Sequence, residues 1–303
     1  IVNAAECEPL IETDKYLCRT FADRIIRTIP QIAEAIGASK KVIALKGAYE
    51  KEIAALKVAI REQNSDVEIF ELGYFYPAGD EQTLIQQVTG RCVPERGLPS
   101  DVGCVVDNVG TVLNIADALE GKAVTEKYLS VVGEVEHPIQ LRVPIGTPVL
   151  ECVKAAHPTV SDFALIMGGP MMGKQLTEQA AMEQAVVTKT TGNILVLPKD
   201  HYLFRKASLP METVRKQTKS ACLQCKMCTE LCPRYLIGHQ IHPNLMMRGL
   251  WLEPTITDNE EYLRMYGEAA NCCSCGVCEM FACPMGLSPR KVNDYFKAEF
   301  RKR

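Results

Sequence analysis

The sequence predicts an α/β domain, then a small mixed β domain, then a helical, cysteine-rich domain. Three observations predict this order. Residues 41–73 read strand, helix, strand; after about residue 125 short β-rich segments punctuated by Gly and Pro take over. Nine of the fourteen cysteines then fall between Cys222 and Cys283, where strand patterns vanish. At 303 residues, 47% hydrophobic and 23% charged, the chain has material for two or three cores.

Taken in order, residues 14–29 place Leu17, Phe21, Ile25 and Ile29 four apart, the stripe of an amphipathic helix. Pro30 is expected to kink or end it. "KVIALK" (41–46) reads as a strand, "YEKEIAALKVAIREQ" (49–63) as a helix and "VEIFELG" (67–73) as a strand, which implies a parallel pair. A helix over 80–88, a short strand near Cys104–Val106 and a helix over 108–120 follow. "KYLSVVGEVEHP" and "IQLRVPIG" are β segments, succeeded by a short helix from Pro148 and the strand "DFALIM". The expected domains are 1–125, 126–198 and 199–303.

Net charge is −3, so no electrostatic argument favours a polyanionic partner, and nucleic acid is not expected. The terminal run Phe300-Arg301-Lys302-Arg303 is basic but short, the pattern of a solvated tail. No apolar run reaches the roughly 18 residues of a membrane span, so direct membrane insertion is not expected. The lopsided cysteine distribution argues against a disulfide framework and for a reducing compartment, here the cytoplasm. The first residue is Ile1 rather than Met, so the true N-terminus is expected upstream, and a targeting segment there stays open.

The cysteines form two runs. The first is Cys222-x2-Cys225-x2-Cys228-x3-Cys232-Pro233 and the second Cys272-x2-Cys275-x2-Cys278-x4-Cys283-Pro284. Three closely spaced thiolates and a distant fourth are what a cubane needs, and two such runs predict two [4Fe-4S] clusters. The fourth cysteine of each run is expected to serve the other cluster. That assigns Cys222, Cys225, Cys228 and Cys283 to one, and Cys272, Cys275, Cys278 and Cys232 to the other. Cys273 breaks the spacing and is spare. Structural zinc favours two separated pairs and fits this pattern poorly.

"GGPMMGKQ" (168–175) mimics the start of a phosphate-binding loop, but Gln175 stands where a hydroxyl is needed and Pro170 removes a backbone donor. It reads as a turn after a strand. His239 and His242 are expected at the surface or in a helix cap, and the five scattered cysteines as small buried hydrophobes.

"NAAECEP" (3–9), "YPAGDEQTL" (76–84) and "DNVGT" (107–111) read singly as loops at strand ends. In this order they resemble the flavin-binding fold of the complex I NADH-oxidising subunit and of the C component of the Rnf complex. "VPIGTPVLE", "MGGPMMG", "VTKTTGNILVLPK" and "CPRYLIGH" extend the resemblance over essentially the whole chain, closest to the propanediol-utilisation cobalamin reductase type. It implies an α/β domain binding FMN and NADH, a β-grasp domain of the SLBB type, and a helical dicluster ferredoxin domain. By position it implies Asn3, Glu6, Tyr76, Gly79, Asp80, Glu81, Asn108 and Thr111 around the flavin. Glu8 and Glu81 are then the candidates to face the nicotinamide. Ala5 stands where the complex I relatives have an acid, and Asp107 where an Asn is common. A Gly-rich loop of the type GGAGFP precedes the first motif in that family. It is not in this chain, so these 303 residues are expected to hold clusters but little FMN.

The function so implied is oxidation of NADH, with electrons passing through FMN and two [4Fe-4S] clusters to a redox partner, either a corrinoid protein or a flavoenzyme. A flavin is needed because hydride carries two electrons and clusters carry one at a time. Two rivals remain open: a non-enzymatic ferredoxin-like adaptor, and a subunit of a membrane-associated Rnf-type ferredoxin:NAD oxidoreductase.

Overall fold

In the computed structural model, which describes residues 1–302, β2 (Val42–Lys46) and β3 (Glu68–Leu72) flank α3 (Glu50–Glu62) and pair in parallel. β1 (Val2–Asn3) lies on the other side of β2, and β4 (Asp107–Asn108) beyond β1. The sheet is all parallel, in the order β3-β2-β1-β4. The chain steps from β1 outward to β3 and then crosses back to β4, so the topological switch point lies between β1 and β4. That is the usual ligand crevice of such sheets.

The stripe from Leu17 to Ile29 predicts one helix kinked or ended at Pro30, and the structure has two helices instead. α1 (Thr13–Thr20) stops at Phe21; α2 (Ala22–Ile36) runs through Pro30 and ends on left-handed Gly37. A proline inside a helix costs about 3 kcal/mol. Ile25, Ile26 and Ile29 are each at most 4% exposed in the core, and burying each contributes about 2 kcal/mol. The packing of α2 outweighs the lost hydrogen bond. α4 (Glu81–Thr89) and α5 (Val109–Leu119) match the expected helices, while β4 falls just after the expected strand at 104–106.

β5 (Glu126–Gly133), β6 (Ile139–Pro144), β7 (Phe163–Met167), β8 (Lys174–Leu176) and β9 (Asn193–Pro198) form a second sheet, in the order β6-β5-β9-β7-β8. β5 and β9 are parallel at its centre, and the other pairs are antiparallel. α6 (Val149–Ala155) and α7 (Gln179–Gln184) pack on it over Leu129, Val131, Val153, Leu165 and Val196. The turn at 168–173 joins β7 to β8, as its glycines and proline predict. The change of texture near residue 125 marks the start of this sheet. Both sheets nevertheless belong to one compact unit, Ile1–Gly90 with Gly103–Phe204.

The second unit is Arg91–Val102 together with the chain from Arg205 onward. The short segment lies inside the domain expected at 1–125, yet its bonds are to the cysteine-rich part. His239 Nε2 donates to the Val93 carbonyl at 2.8 Å, and Gln240 N and Asn271 Nδ2 donate to the Glu95 carboxylate at 2.6 and 2.9 Å. His239 is therefore buried, not at the surface as its sequence setting suggested. α8 (Tyr202–Ala207), α9 (Met211–Ala221), α10 (Met227–Glu230) and α11 (Pro233–Leu236) precede α12 (Pro243–Gly249), α13 (Asn259–Tyr266) and α14 (Pro289–Phe300). Tyr266 and Phe296 stack at 4.1 Å in the core of this unit. No strand follows β9 among the described residues, as expected. No helix among them is long and apolar enough to cross a membrane. Of the basic terminal run, Arg303 lies outside the described residues.

Candidate functional site

At the switch point Asn3 and Asn108 stand opposite each other across β1 and β4. Asn3 Oδ1 accepts the Ala5 N–H at 3.0 Å, and its Nδ2 donates to the Gly79 carbonyl at 2.9 Å. The loop after β1 is thereby tied to the loop before α4. A β-carbon on Gly79 would run into the backbone carbonyl of Ala5, so the close approach needs glycine. Tyr76 lies in the same loop, before cis Pro77. Asp80 caps α4, its Oδ2 accepting the Thr83 N–H at 3.2 Å and hydroxyl at 3.0 Å. Glu81 opens that helix with its side chain exposed. Asn108 caps α5 by accepting the Gly110 N–H at 2.8 Å, and its Nδ2 donates to Asp14 Oδ2 at 2.7 Å. Thr111 is exposed in the first turn of α5.

A cavity of about 480 Å³ gathers Glu6, Glu8, Asn108 and Thr111. This is the size of a small-ligand site. Asn3, Tyr76, Gly79, Asp80 and Glu81 do not line it. A larger cavity of about 540 Å³ beside Phe21, Leu113 and Tyr128 shares Asn114 and Lys127 with it and holds none of the expected site residues. Glu8 has a second task. Its Oε2 accepts the backbone N–H of Met171 at 2.8 Å and of Met172 at 3.1 Å, in the turn after β7. A β-carbon on Gly169 would strike the Glu8 carboxylate, so this glycine of the phosphate-loop mimic serves to admit that side chain.

Asp14 and Lys127 also line the cavity and were not anticipated. Asp14 reads as an ordinary first-turn acid and Lys127 as a strand residue; only the fold brings them to Asn108. Glu6 Oε2 accepts the Asp14 N–H at 3.0 Å. Burial, then the charge of Asp14, pushes the Glu6 carboxyl up to about 8, and burial also raises Asp14. Desolvation lowers Lys127, against the attraction of Asp14. Glu6 therefore binds its proton more tightly folded than unfolded, where it titrates near 4.3, about the ordinary glutamate value. Its contribution to stability is complete below that range and is lost as pH rises to about 8. The thermal midpoint is expected to fall from about pH 5 to about pH 8, and Glu6→Gln to flatten that fall. The same slope in both proteins would show that the folded carboxyl ionises freely.

In the second unit Cys222, Cys225, Cys228 and Cys283 line one small cavity of about 20 Å³, beside Gln224 and Asn244. Cys228 is pushed up to about 12 by burial and then by those three thiols. Cys272 is pushed up to about 12 by burial, with Cys273 and Cys232 adding to it and the Ser274 N–H opposing. Burial raises Cys278 well above its usual value, with Cys272 and Cys232 next. Cys273, the expected spare, hydrogen-bonds to Cys275, which is raised by it. The two loops share one backbone trace: Gln224 and Lys226 in the first, Ser274 and Gly276 in the second, all have positive φ. Each loop also points a donor at its first sulfur, Gln224 Nε2 at 3.2 Å from Cys222 and Ser274 N at 3.3 Å from Cys272. Such bonds tune a thiolate-held iron–sulfur group.

Thiols packed this way resist ionising alone, and a cationic centre would reverse that. Among the described residues, no three His, Cys, Asp or Glu side chains converge closely enough for one metal ion. A cubane asks for wider spacing, because each thiolate meets a different iron. The donor set fits an iron–sulfur cluster.

Residues 1–117 match the family described as the Nuo51 FMN-binding domain, and residues 221–288 match the 4Fe-4S dicluster domain. Fold and cysteine sets together define a chain that joins a Nuo51-type FMN-binding domain to a 4Fe-4S dicluster domain. The chain is homologous to cobalamin reductase PduS and to the C components of Rnf-type complexes. It is 42% identical over 303 residues to "Cobalamin reductase PduS" of Citrobacter freundii, covering 99% of this chain and 64% of that protein. The Salmonella typhimurium protein of the same name is 41% identical over the same shares. The C component of the Na(+)-translocating ferredoxin:NAD(+) oxidoreductase complex of Acetobacterium woodii is 31% identical over 83% of this chain and 53% of its own length. The chain thus spans less than two thirds of these relatives. A chain of an NAD+-reducing [NiFe]-hydrogenase, in the H2-reduced state, has the same fold at a TM-score of 0.62 and 19% identity, over 99% of this chain and 55% of that one.

Proposed function

We propose that this protein oxidises NADH at the β1–β4 crevice and delivers electrons through two [4Fe-4S] clusters to a redox partner, a corrinoid protein or a flavoenzyme, in the cytoplasm. The observation that carries the reading is the pairing of Asn3 with Asn108 at the switch point of a Nuo51-type domain, where Asn108 lines a cavity of about 480 Å³. FMN, when bound, would accept hydride and release single electrons, which clusters can carry.

The chain's own residues supply placement. Asn3 is bonded to Gly79, next to the Asp80 cap of α4 and with Tyr76 in the same loop; Glu6, Asn108 and Thr111 line the cavity, and these two groups of residues together would hold the flavin. Burial and the charge of Asp14 push the Glu6 carboxyl up to about 8, which lessens the negative charge of a cavity that would admit an anionic nucleotide. Glu81 and the second oxygen of Glu8 are assigned to the nicotinamide side. The second sheet, with its central parallel pair, is read as a β-grasp domain of the SLBB type, and the turn at 168–173 holds Glu8 in register. Cys222, Cys225, Cys228 and Cys283 hold one cluster; Cys272, Cys275, Cys278 and Cys232 hold the other.

The test is anaerobic. Protein loaded with FMN and iron should bleach at flavin wavelengths on addition of NADH, followed by bleaching of the clusters. Bleaching by dithionite but not by NADH would overturn the enzymatic reading. One observation favours the adaptor instead: Glu8, an expected nicotinamide contact, already accepts two backbone N–H groups.

A further inference from the structure

The two cysteine sets differ in their access to solvent. In the first set Cys225 is exposed, Cys222 and Cys283 are half-buried and Cys228 is buried; in the second Cys272 is half-buried and Cys232, Cys275 and Cys278 are buried. The mouth of the first set carries apolar side chains that the fold leaves in water. Leu223 is 66% exposed and Met285 45%, and both line the cavity of the four thiols. Lys226 lines it too and is exposed, held at φ 66 where the second loop has Gly276. A side chain at a left-handed position is strained.

Charge adds to this. Between Ala207 and Trp251 there are six lysines and arginines against two glutamates; Arg215 pairs with Glu253 and Lys216 with Glu212, and Lys226 is the one that lines the cavity. Lys219, in the last turn of α9 just before Cys222, is exposed and lies over the Trp251 ring, itself 41% exposed. A single exposed leucine needs no explanation, but exposed Leu223 and Met285 at a thiol-lined cavity, with the exposed Lys226 beside them and a cation-rich stretch of chain around the first run, mark an interaction site.

We propose that this face is where a small redox protein docks, one with an apolar centre and an acidic rim, and receives electrons from the centre held by Cys222, Cys225, Cys228 and Cys283. The proposal rests on the reading that these thiols hold a cluster. One electron moves per encounter: the cluster is oxidised, the partner's centre is reduced, and no bond is made or broken. Cations on the rim would steer the encounter, and the apolar centre would set how long it lasts.

The test uses the cluster-loaded chain, reduced with dithionite and freed of excess reductant, mixed in stopped flow with an acidic [2Fe-2S] ferredoxin. Basic cytochrome c is the contrast. The rate to ferredoxin should fall about tenfold or more between about 50 and about 500 mM salt. Lys226→Glu should lower it about tenfold at low salt, and Met285→Gln should lower it at both salt concentrations. The dissociation constant of the oxidised pair, measured by calorimetry, should weaken in parallel. Rates and affinities that ignore salt and both substitutions would overturn the proposal. So would cytochrome c electron transfer that Lys226→Glu slows, or a wild-type dimer that Met285→Gln dissociates, which would give the face to a second copy. Iron analysis separates the failures. A wild-type chain that takes up no iron ends the cluster reading and the docking surface together, whereas full iron without charge dependence ends the docking surface alone.

Discussion

Replacing Cys283 with alanine is expected to abolish the cluster signal that depends on Cys222, Cys225 and Cys228, 55 or more residues away in sequence. The four thiols line one cavity, so the loss should fall on that set and not on the run in which Cys283 is written. Cys232→Ala should do the reverse and remove the centre of Cys272, Cys275 and Cys278. Iron should drop from about eight per chain to about four in each case, as expected for paired cubanes, and low-temperature electron paramagnetic resonance should show which signal remains. Cys273→Ala is the control. Its sulfur hydrogen-bonds to Cys275 and its charge acts on Cys232 and Cys272, so it sits among the second set. Iron should stay near eight without it, the count for two cubanes. A loss of half the iron would make Cys273 a ligand and free one of the assigned four.

Glu81→Gln is the second large effect. The side chain is exposed at the first position of α4, next to the Asp80 cap and the Gly79 approach to Ala5. Turnover of NADH with an artificial acceptor should fall about a hundredfold, or about 2.7 kcal/mol. That is the range of one charge-assisted hydrogen bond. Dithionite should still reduce the clusters fully, because nothing in the second unit is changed. Normal turnover would remove Glu81 from the nicotinamide site and strengthen the adaptor reading.

The α/β core was legible because β2 is a short continuous apolar run, Val42-Ile43-Ala44-Leu45, and α3 repeats Ile53, Leu56 and Ile60 at helical spacing before the β-branched and aromatic stretch of β3. The cysteine runs were legible because ligand spacing is local. The break at Phe21 was not, since the stripe Leu17, Phe21, Ile25, Ile29 passes through it unbroken and Pro30 gives the stronger stop signal. What overrode the proline was burial of α2, a tertiary effect. The membership of residues 91–102 was hidden for a similar reason. Glu95 looks like any loop acid until Gln240 and Asn271 are folded onto it. At the candidate site, Asn3, Gly79 and Asn108 could be named from motifs. Asp14, Lys127 and the reach of Glu8 to Met171 could not, because each depends on elements joined only by the fold.

The meeting of Cys222, Cys225 and Cys228 with Cys283 in one cavity bears on how the protein is made. On the proposed ligation, a ribosome that has finished the first run has exposed three thiols of one centre and a single thiol of the other. Neither set is complete until the second run has emerged, after α12 and α13. Iron delivery must therefore wait for nearly the whole chain, and a nascent chain stalled in α13 would present four reduced thiols from the wrong combination. Such a chain would be a substrate for oxidation or for stray zinc, and truncation before residue 272 should cost both centres rather than one.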